Sequence, residues 1–179
     1  DQLKNVQHIQ ASFSAFAAIL DDGSVVTWGA ADGGDSRAVQ DQLKNVQHIQ
    51  ASFSAFAAIL DDGSVVTWGK AADGGDSRAV QDQLKTVQQI QDQLKNVQHI
   101  QASFSAFAAI LDDGSVVTWG SAADGGDSRA VQDQLKNVQH IHASRSAFAA
   151  ILADGSVVTW GYPEHGGDSS TVRDQLKNT

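Results

Sequence analysis

The chain has 179 residues, of which 41% are hydrophobic, so it is long enough to bury a core as a single domain. Its formal net charge of −9 leaves no basic surface for phosphates or anionic lipids, which argues against nucleic acid and against membrane insertion. The absence of cysteine (0 residues) excludes disulfides, thiolate catalysis and cysteine-based zinc sites.

One unit is repeated along the chain. The block DQLKNVQHIQ begins at Asp1, Asp41, Asp92 and Asp133, and every copy runs on to VVTWG. A duplicated DQLK-type piece at 82–91 explains the one long spacing, so the period is about 41 residues. We expect a single repeat domain over 1–179, with units 1–40, 41–81, 92–132 and 133–173 and an insertion at 82–91. Near-identical units pack the same faces against their neighbours, as in solenoids and propellers.

Each unit predicts three strands. Val6 to Ala11 forms the first strand, and the apolar runs Phe16 to Leu20 and Val25 to Trp28 form a hairpin. The hairpin turns at Asp22-Gly23, a dipeptide that favours short β-turns. The segment Ala31 to Ser36 is rich in turn-forming residues and is predicted to be a loop.

An amphipathic helix is the alternative for the first half of the unit. Apolar residues recur at three- and four-residue spacings, which would form one stripe on a helix. Arg145 argues against it, because in the fourth copy it would place a charge within the buried stripe. The insertion would also rotate such a stripe out of register, whereas a loop between strands tolerates it. The stripe comprises Val6, Ile9, Phe13, Phe16 and Leu20.

These motifs resemble the repeat of the regulator of chromosome condensation family, whose blades follow a pattern close to V-x-x-[VI]-x-A-G-x-x-H-[TS]-x-A-L-x-x-D-G-x-V-x-x-W-G. The resemblance covers essentially the whole chain, and all four copies keep the matching residue types. The matching positions in the first copy are Val6, Ile9, Ala11, Ile19, Asp22, Gly23, Val25, Trp28 and Gly29.

Two departures from the family pattern stand out. Ser12 and Ala15 occupy the positions of the family's Gly and His, and Gly33 to Ser36 replaces a frequent Gly-Gln-Leu-Gly. The resemblance implies an all-β fold in which four repeats form the blades of a partial or small β-propeller. It also implies that the tryptophans lie between blades. It carries over no exchange activity on small GTPases, because nothing in the chain matches the insert that performs it. The tryptophans are Trp28, Trp68, Trp119 and Trp160.

The candidate binding residues occupy the variable position before the family's His. The resemblance places this position in a turn on one face of the disc, and the alternative is that the rings fold into the core. Aromatic side chains and Arg are favoured at the centres of protein interfaces. We therefore predict a protein-binding face formed by Phe13, Phe53, Phe104 and Arg145.

The remaining polar residues favour structural roles. The repeated histidines would lie on a circle, too far apart for one ion. Paired acids such as Asp21-Asp22 sit in turns, and the Asp32 to Ser36 loop lacks the ligand spacing of a calcium site. No serine stands in a nucleophile elbow. We expect no enzyme activity, no metal and no cofactor. The histidines are His8, His48, His99 and His140.

The predicted function is a non-catalytic scaffold for protein–protein interaction or assembly. The alternatives are a purely structural repeat array within a larger complex and a carbohydrate-binding propeller. The expected partners are other proteins or further copies of the chain. The 0 methionines indicate a segment of a longer protein or a processed form. An open arc or a fragment, which associates through its ends or through neighbouring proteins, is therefore favoured over a closed four-bladed ring.

Overall fold

The structure is a computed structural model that describes residues 5–84 and 97–172. These residues form four three-stranded antiparallel sheets, one from each repeat, and the strand order in each sheet follows the chain. We name the sheets blades 1 to 4. Blade 1 contains β1 (Val6–Ala11), β2 (Ala15–Leu20) and β3 (Val25–Gly29), and blade 2 contains β4 (Val46–Ala51), β5 (Ala55–Leu60) and β6 (Val65–Gly69). Blade 3 contains β7 (Val97–Ala102), β8 (Ala106–Leu111) and β9 (Val116–Gly120), and blade 4 contains β10 (Val138–Ala143), β11 (Ala147–Leu152) and β12 (Val157–Gly161).

Short helical turns connect the blades. The segment predicted as a loop after β3 contains the single turn α1 (Ala31–Gly34), and α2 (Gln81–Leu84) precedes blade 3. These turns are too short to pack as independent helices, so they serve as corners of the connecting segments. The 3-10 turns are Gln40–Gln42, Ala71–Asp73, Arg78–Val80, Ala122–Asp124, Gln132–Gln134 and Pro163–His165.

The predicted hairpin is confirmed in every repeat. In blade 1, β2 pairs with β3, and the turn between them contains Gly23 at φ +74°. Asp22 Oδ1 accepts hydrogen bonds from the backbone N–H (2.9 Å) and the hydroxyl (2.6 Å) of Ser24. This local closure by an Asx-type turn explains why Asp-Gly recurs at the same point of each unit.

The core lies between blades. Because side chains alternate across a strand, each blade has two apolar faces. One carries small residues, and we call it the Ala face; in blade 1 it comprises Ala15, Ala17, Ile19 and Val25. The other, the Phe–Trp face, comprises in blade 2 Val46, Ile49, Phe56, Ala58, Val66 and Trp68. The Ala face of each blade packs against the Phe–Trp face of the next, which gives three inter-blade cores among the described residues.

A leucine from each connecting segment completes these cores. Leu43, Leu84 and Leu135 are each at most 1% exposed. Leu84 belongs to the duplicated segment 82–91, for which the sequence predicts a bulged-out loop or an extra edge segment, and it is buried at the end of α2. The rest of the segment, from residue 85 onwards, lies outside the described residues.

The prediction of propeller blades is confirmed, and the described blades form an open series. The tryptophans of blades 2 to 4 are buried as predicted, but Trp28 is only half-buried, because within the described residues no preceding blade covers it. None of the described helices is long and apolar enough to cross a membrane.

Candidate functional site

The predicted binding residues sit at the tips of the hairpins that join the first two strands of each blade. In blade 1, the Ser12 N–H donates to the Ala15 carbonyl (2.9 Å), which leaves Phe13 and Ser14 as the two residues of a tight turn. The Ser12 hydroxyl accepts a hydrogen bond from the Ala15 N–H (3.1 Å) and fixes the turn further. The turn therefore presents Phe13 away from the sheet instead of folding it into the core.

A ladder of backbone hydrogen bonds joins these tips from blade to blade. The Phe13 N–H donates to the Phe53 carbonyl (3.0 Å), Phe53 donates to Phe104 (2.7 Å), and Phe104 donates to Arg145 (2.7 Å). Directly bonded backbones approach as closely as neighbouring strands of a sheet, about 4.8 Å apart. Identical side chains at that spacing are positioned to stack.

The rings do stack. The ring centroids of Phe13 and Phe53 are 4.5 Å apart, and those of Phe53 and Phe104 are 4.4 Å apart. The Arg145 guanidinium carbon lies 5.3 Å from the Phe104 centroid, within the range of a cation–π contact. We call these four side chains the aromatic row. The structure thus brings all four predicted residues together, and three of them, Phe13, Phe104 and Arg145, are exposed.

The aromatic row differs along its length because blade 4 departs from the other repeats beside it. The Tyr162 N–H donates to the Ser146 carbonyl (2.8 Å), and the Ser144 hydroxyl donates to the His165 carbonyl (2.7 Å). The substituted turn 162–165 is therefore tied to the tip that carries Arg145. The Tyr162 ring is exposed and lies 5.0 Å from the His165 ring. One end of the row is purely aromatic, and the other combines aromatic, cationic and imidazole groups.

The tryptophans join consecutive blades. Trp68 Nε1 donates to the Gly33 carbonyl (2.9 Å) in the loop that follows blade 1. The Trp68 ring also stacks on Phe56 of its own blade, with 5.2 Å between the ring centroids. Trp119 and Trp160 repeat the hydrogen bond with the loops after blades 2 and 3. Each indole therefore closes a polar bond between blades while its ring fills the apolar core.

The carboxylates in the connecting loops have local partners. Arg37 donates to both carboxylate oxygens of Asp35, at 2.9 and 2.6 Å, and the pairs Arg78–Asp76 and Arg129–Asp127 repeat this fork. The hydrogen bonds from Arg78 lower the pKa of Asp76 from 3.8 to about 2. Each of these carboxylates already accepts hydrogen bonds from an Arg two residues further along the chain. It therefore offers little to a calcium ion.

The repeated histidines lie on the first strand of each blade. A cavity of about 170 Å³ lies between blades 2 and 3 and is lined in part by His48, Gln50, His99 and Ile100. Burial, followed by the charges of His48, His140 and His142, lowers the pKa of His99. His48 and His99 thus line the same cavity. In the described part of the chain, however, no three His, Cys, Asp or Glu side chains are grouped closely enough to hold a metal ion.

Fold and site together define a repeat protein of the β-propeller class, with blades of three strands. More particularly, the blades have the architecture of propellers built from regulator-of-chromosome-condensation repeats, as the sequence predicted. The chain is similar to Prp20p of Saccharomyces cerevisiae, studied for its binding to Gsp1p and histones, with a TM-score of 0.61 and 16% identity over 87% of this chain and 44% of that one. It is also similar to yeast RCC1 (Prp20) in complex with Kap60, with a TM-score of 0.60 and 15% identity over 87% of this chain and 43% of that one.

A third similar structure is the ectodomain of the Physcomitrella patens receptor kinase CR4. It has a TM-score of 0.55 and 16% identity over 86% of this chain and 40% of that one. The chain therefore spans less than half the length of each of these three chains. No model of a known protein family matches the sequence, and no curated protein matches it. At this level of identity, the likeness concerns the fold.

Sequence reasoning found the residues of the aromatic row but missed the ladder that assembles it. Phe13 lies in a turn and pairs with no strand of its own repeat. The sequence around it therefore gives no indication that its N–H bonds to the next repeat. The recurrence of Phe at a turn of polar residues is the available signal, because an exposed turn rarely needs a large apolar side chain.

Proposed function

We propose that the chain is a non-catalytic scaffold that binds a protein partner through the aromatic row. The observation that carries the proposal is the exposure of stacked Phe side chains beside Arg145 on one rim of the blades. Phe13 is 76% exposed and Phe104 is 37% exposed, although each could have been a polar residue in a tight turn. Exposed, contiguous apolar surface bordered by polar groups is typical of interaction sites.

The row is also rigid, which favours binding. Each ring is held by its neighbour and each backbone by an inter-blade hydrogen bond, so little side-chain entropy is lost when a partner packs on it. Aromatic residues and Arg contribute most of the affinity at many protein interfaces.

The chemistry of the row indicates the kind of segment it binds. A row of stacked rings forms a continuous apolar strip, which suits a peptide with apolar side chains. Arg145 at one end favours a carboxylate at the matching end of that peptide. The similar Prp20 structures concern binding to Gsp1p, histones and Kap60, which are proteins, and this supports a protein partner for the present chain.

A displayed peptide library, selected on the wild-type chain, tests the proposal. We expect the selected peptides to combine apolar residues with Asp or Glu. We expect Phe104→Ala and Arg145→Glu each to weaken their binding by at least about 10-fold. Gln139→Ala, which shortens an exposed side chain at the end of β10 opposite the tip, is the control and should leave the affinity unchanged.

The outcomes separate this function from its alternatives. Failure to enrich any peptide would favour a purely structural array. Binding to a glycan panel that survives Phe104→Ala would favour a carbohydrate-binding propeller. Far-UV circular dichroism of each variant verifies that the blades remain folded.

A further inference from the structure

The two ends of the described blade series carry complementary open faces. Every internal junction packs the Ala face of one blade on the Phe–Trp face of the next. Blade 1 has a Phe–Trp face that no described residue covers. There, Ile9 is 49% exposed and Phe16 is 43% exposed, whereas their counterparts Ile141 and Phe148 in blade 4 are 2% and 1% exposed.

Among the described residues, nothing covers the opposite face of blade 4. A Cβ on Gly125, in the loop after blade 3, would lie 2.6 Å from Phe148 of the next blade, whereas a Cβ on the equivalent Gly166 would meet no atom within 4 Å. In the same way, a Cβ on Gly23 would lie 2.8 Å from Asn45 of blade 2, but the equivalent Gly155 has no neighbour within 4 Å. The loops of blade 4 thus have the shape that receives a following blade.

The polar bonds of the internal junctions also stop at the ends. The Val138 N–H donates to Gly114 of the preceding blade, and Trp160 Nε1 donates to Gly125. Within the described residues, the indole N–H of Trp28 has no such carbonyl of a preceding loop, and the Arg145 N–H has no carbonyl of a following tip. The missing partners are the groups that another blade 4 and another blade 1 would provide.

We propose that the Ala face of blade 4 docks on the Phe–Trp face of blade 1 of a second copy of this chain. The internal junctions specify the contacts. Where blade 1 of one copy receives blade 4 of the other, Trp28 Nε1 donates to the carbonyl of the partner's Gly166 and the Val6 N–H donates to the carbonyl of the partner's Gly155. Where blade 4 of one copy meets blade 1 of the other, the Arg145 N–H donates to the carbonyl of the partner's Phe13. Arg145 then lies between two Phe rings, and the aromatic row continues from one copy to the next.

The internal junctions indicate that the molecule that covers each open face is a second copy of this chain. The same pair of faces is joined three times within the described residues, so each open face has its complement on the same chain. The contact is head-to-tail, and such contacts either close into a ring or continue as a filament. Two copies supply eight blades, which lies within the usual range of closed propellers, about four to eight, so we expect a closed dimer.

Sedimentation and mass photometry of the 179-residue chain test the proposal. We expect a species of twice 18.9 kDa, and a mass of one copy at all concentrations would overturn the proposal. Each copy carries a net charge of −9, so added salt should screen the repulsion and strengthen the association. A salt-induced dissociation would contradict an apolar interface.

Two substitutions block opposite sides of the same interface. Ile9→Lys places a charge on the open Phe–Trp face, and Ala149→Lys places one on the open Ala face, so each should weaken dimerisation by at least about 100-fold. Gln7→Lys adds the same charge on β1 at a position whose counterparts Gln47, Gln98 and Gln139 stay exposed at the internal junctions, and it should remain dimeric.

Mixing the two blocked chains gives the sharpest result. The Ile9→Lys chain keeps an intact Ala face, and the Ala149→Lys chain keeps an intact Phe–Trp face, so the mixture should form a heterodimer through one interface. Persistence of the Ile9→Lys homodimer, or failure of the mixture to associate although both chains are folded by circular dichroism, would overturn the proposal. Peptide binding at Phe104 is measured separately, because Phe104→Ala should not change the dimer mass.

Discussion

The indole N–H of Trp119 donates a hydrogen bond of 3.1 Å to the carbonyl of Gly74, a residue 45 positions earlier in the chain. Trp119 belongs to the last strand of blade 3, and Gly74 to the loop that leaves blade 2. The bond is buried and lies beside the stacked rings of Phe107 and Trp119. It shows that each blade is completed by the loop that leads to it.

Trp119→Phe should lower the free energy of unfolding by about 1–3 kcal/mol, because the buried Gly74 carbonyl loses its donor while most of the ring packing remains. Urea unfolding followed by circular dichroism measures the change. The matched control is Trp28→Phe, which removes an indole without such a carbonyl among the described residues. Both changes are made in the Ile9→Lys chain so that docking does not contribute. An equal loss for the two variants would contradict the role of the bond.

Gly74→Ala should be more costly than Gly166→Ala. Both glycines have positive φ, +95° and +98°, so an alanine at either position carries backbone strain of about 1–3 kcal/mol. Only at Gly74 would the new Cβ approach Phe107, to 2.5 Å, which should add about 1–3 kcal/mol of overpacking. Thermal unfolding in the Ile9→Lys background compares the two, and equal destabilisation would show that the loop does not press on the ring.

The Asp76 carboxyl should titrate with a pKa of about 2, against an ordinary value of 3.8, because Arg78 donates to it. The folded-state pKa lies below that of the unfolded chain, so the pair stabilises the fold above about pH 4. That contribution is lost as the pH falls from 3.8 towards 2. Carboxyl ¹³C NMR should show the pKa returning towards 3.8 in Arg78→Gln. Arg37→Gln, at the equivalent pair, should leave Asp76 unchanged.

His99 should titrate below the ordinary pKa of 6.5, first because burial disfavours its charged form and second because His48, His140 and His142 lie nearby. The folded state then binds the proton more weakly than the unfolded chain. Stability should therefore fall as the pH drops below about 6.5 and through the folded-state pKa. His99→Gln should reduce this dependence, and ¹H–¹³C NMR of the imidazoles measures the pKa directly. A pKa at or above 6.5 would contradict this effect of burial.

The hairpins could be predicted because their determinants are local. Asp22 and Gly23 close the turn through contacts within three residues, and the alternation of the strands shows directly which side chains share a face. The aromatic row could be predicted only as a set of residues, since its stacking depends on where neighbouring blades bring their tips.

Other features depend on context that identical sequence cannot encode. Trp28 and Trp119 occupy the same position of the unit, yet within residues 5–84 and 97–172 only Trp119 meets a preceding loop. The segments Asp82 to Lys85 and Asp92 to Lys95 are identical, and the structure buries the leucine of the first, Leu84, in the core before blade 3.

The pairing of an Ala face with a Phe–Trp face has a consequence for how such a chain can change over generations. Because every junction uses the same two surfaces, any unit can follow any other without a new interface having to evolve. Loss or gain of a whole unit leaves each remaining junction of the same kind. The number of blades can thus vary between related chains, whereas a change at one junction residue disturbs the blade that it faces.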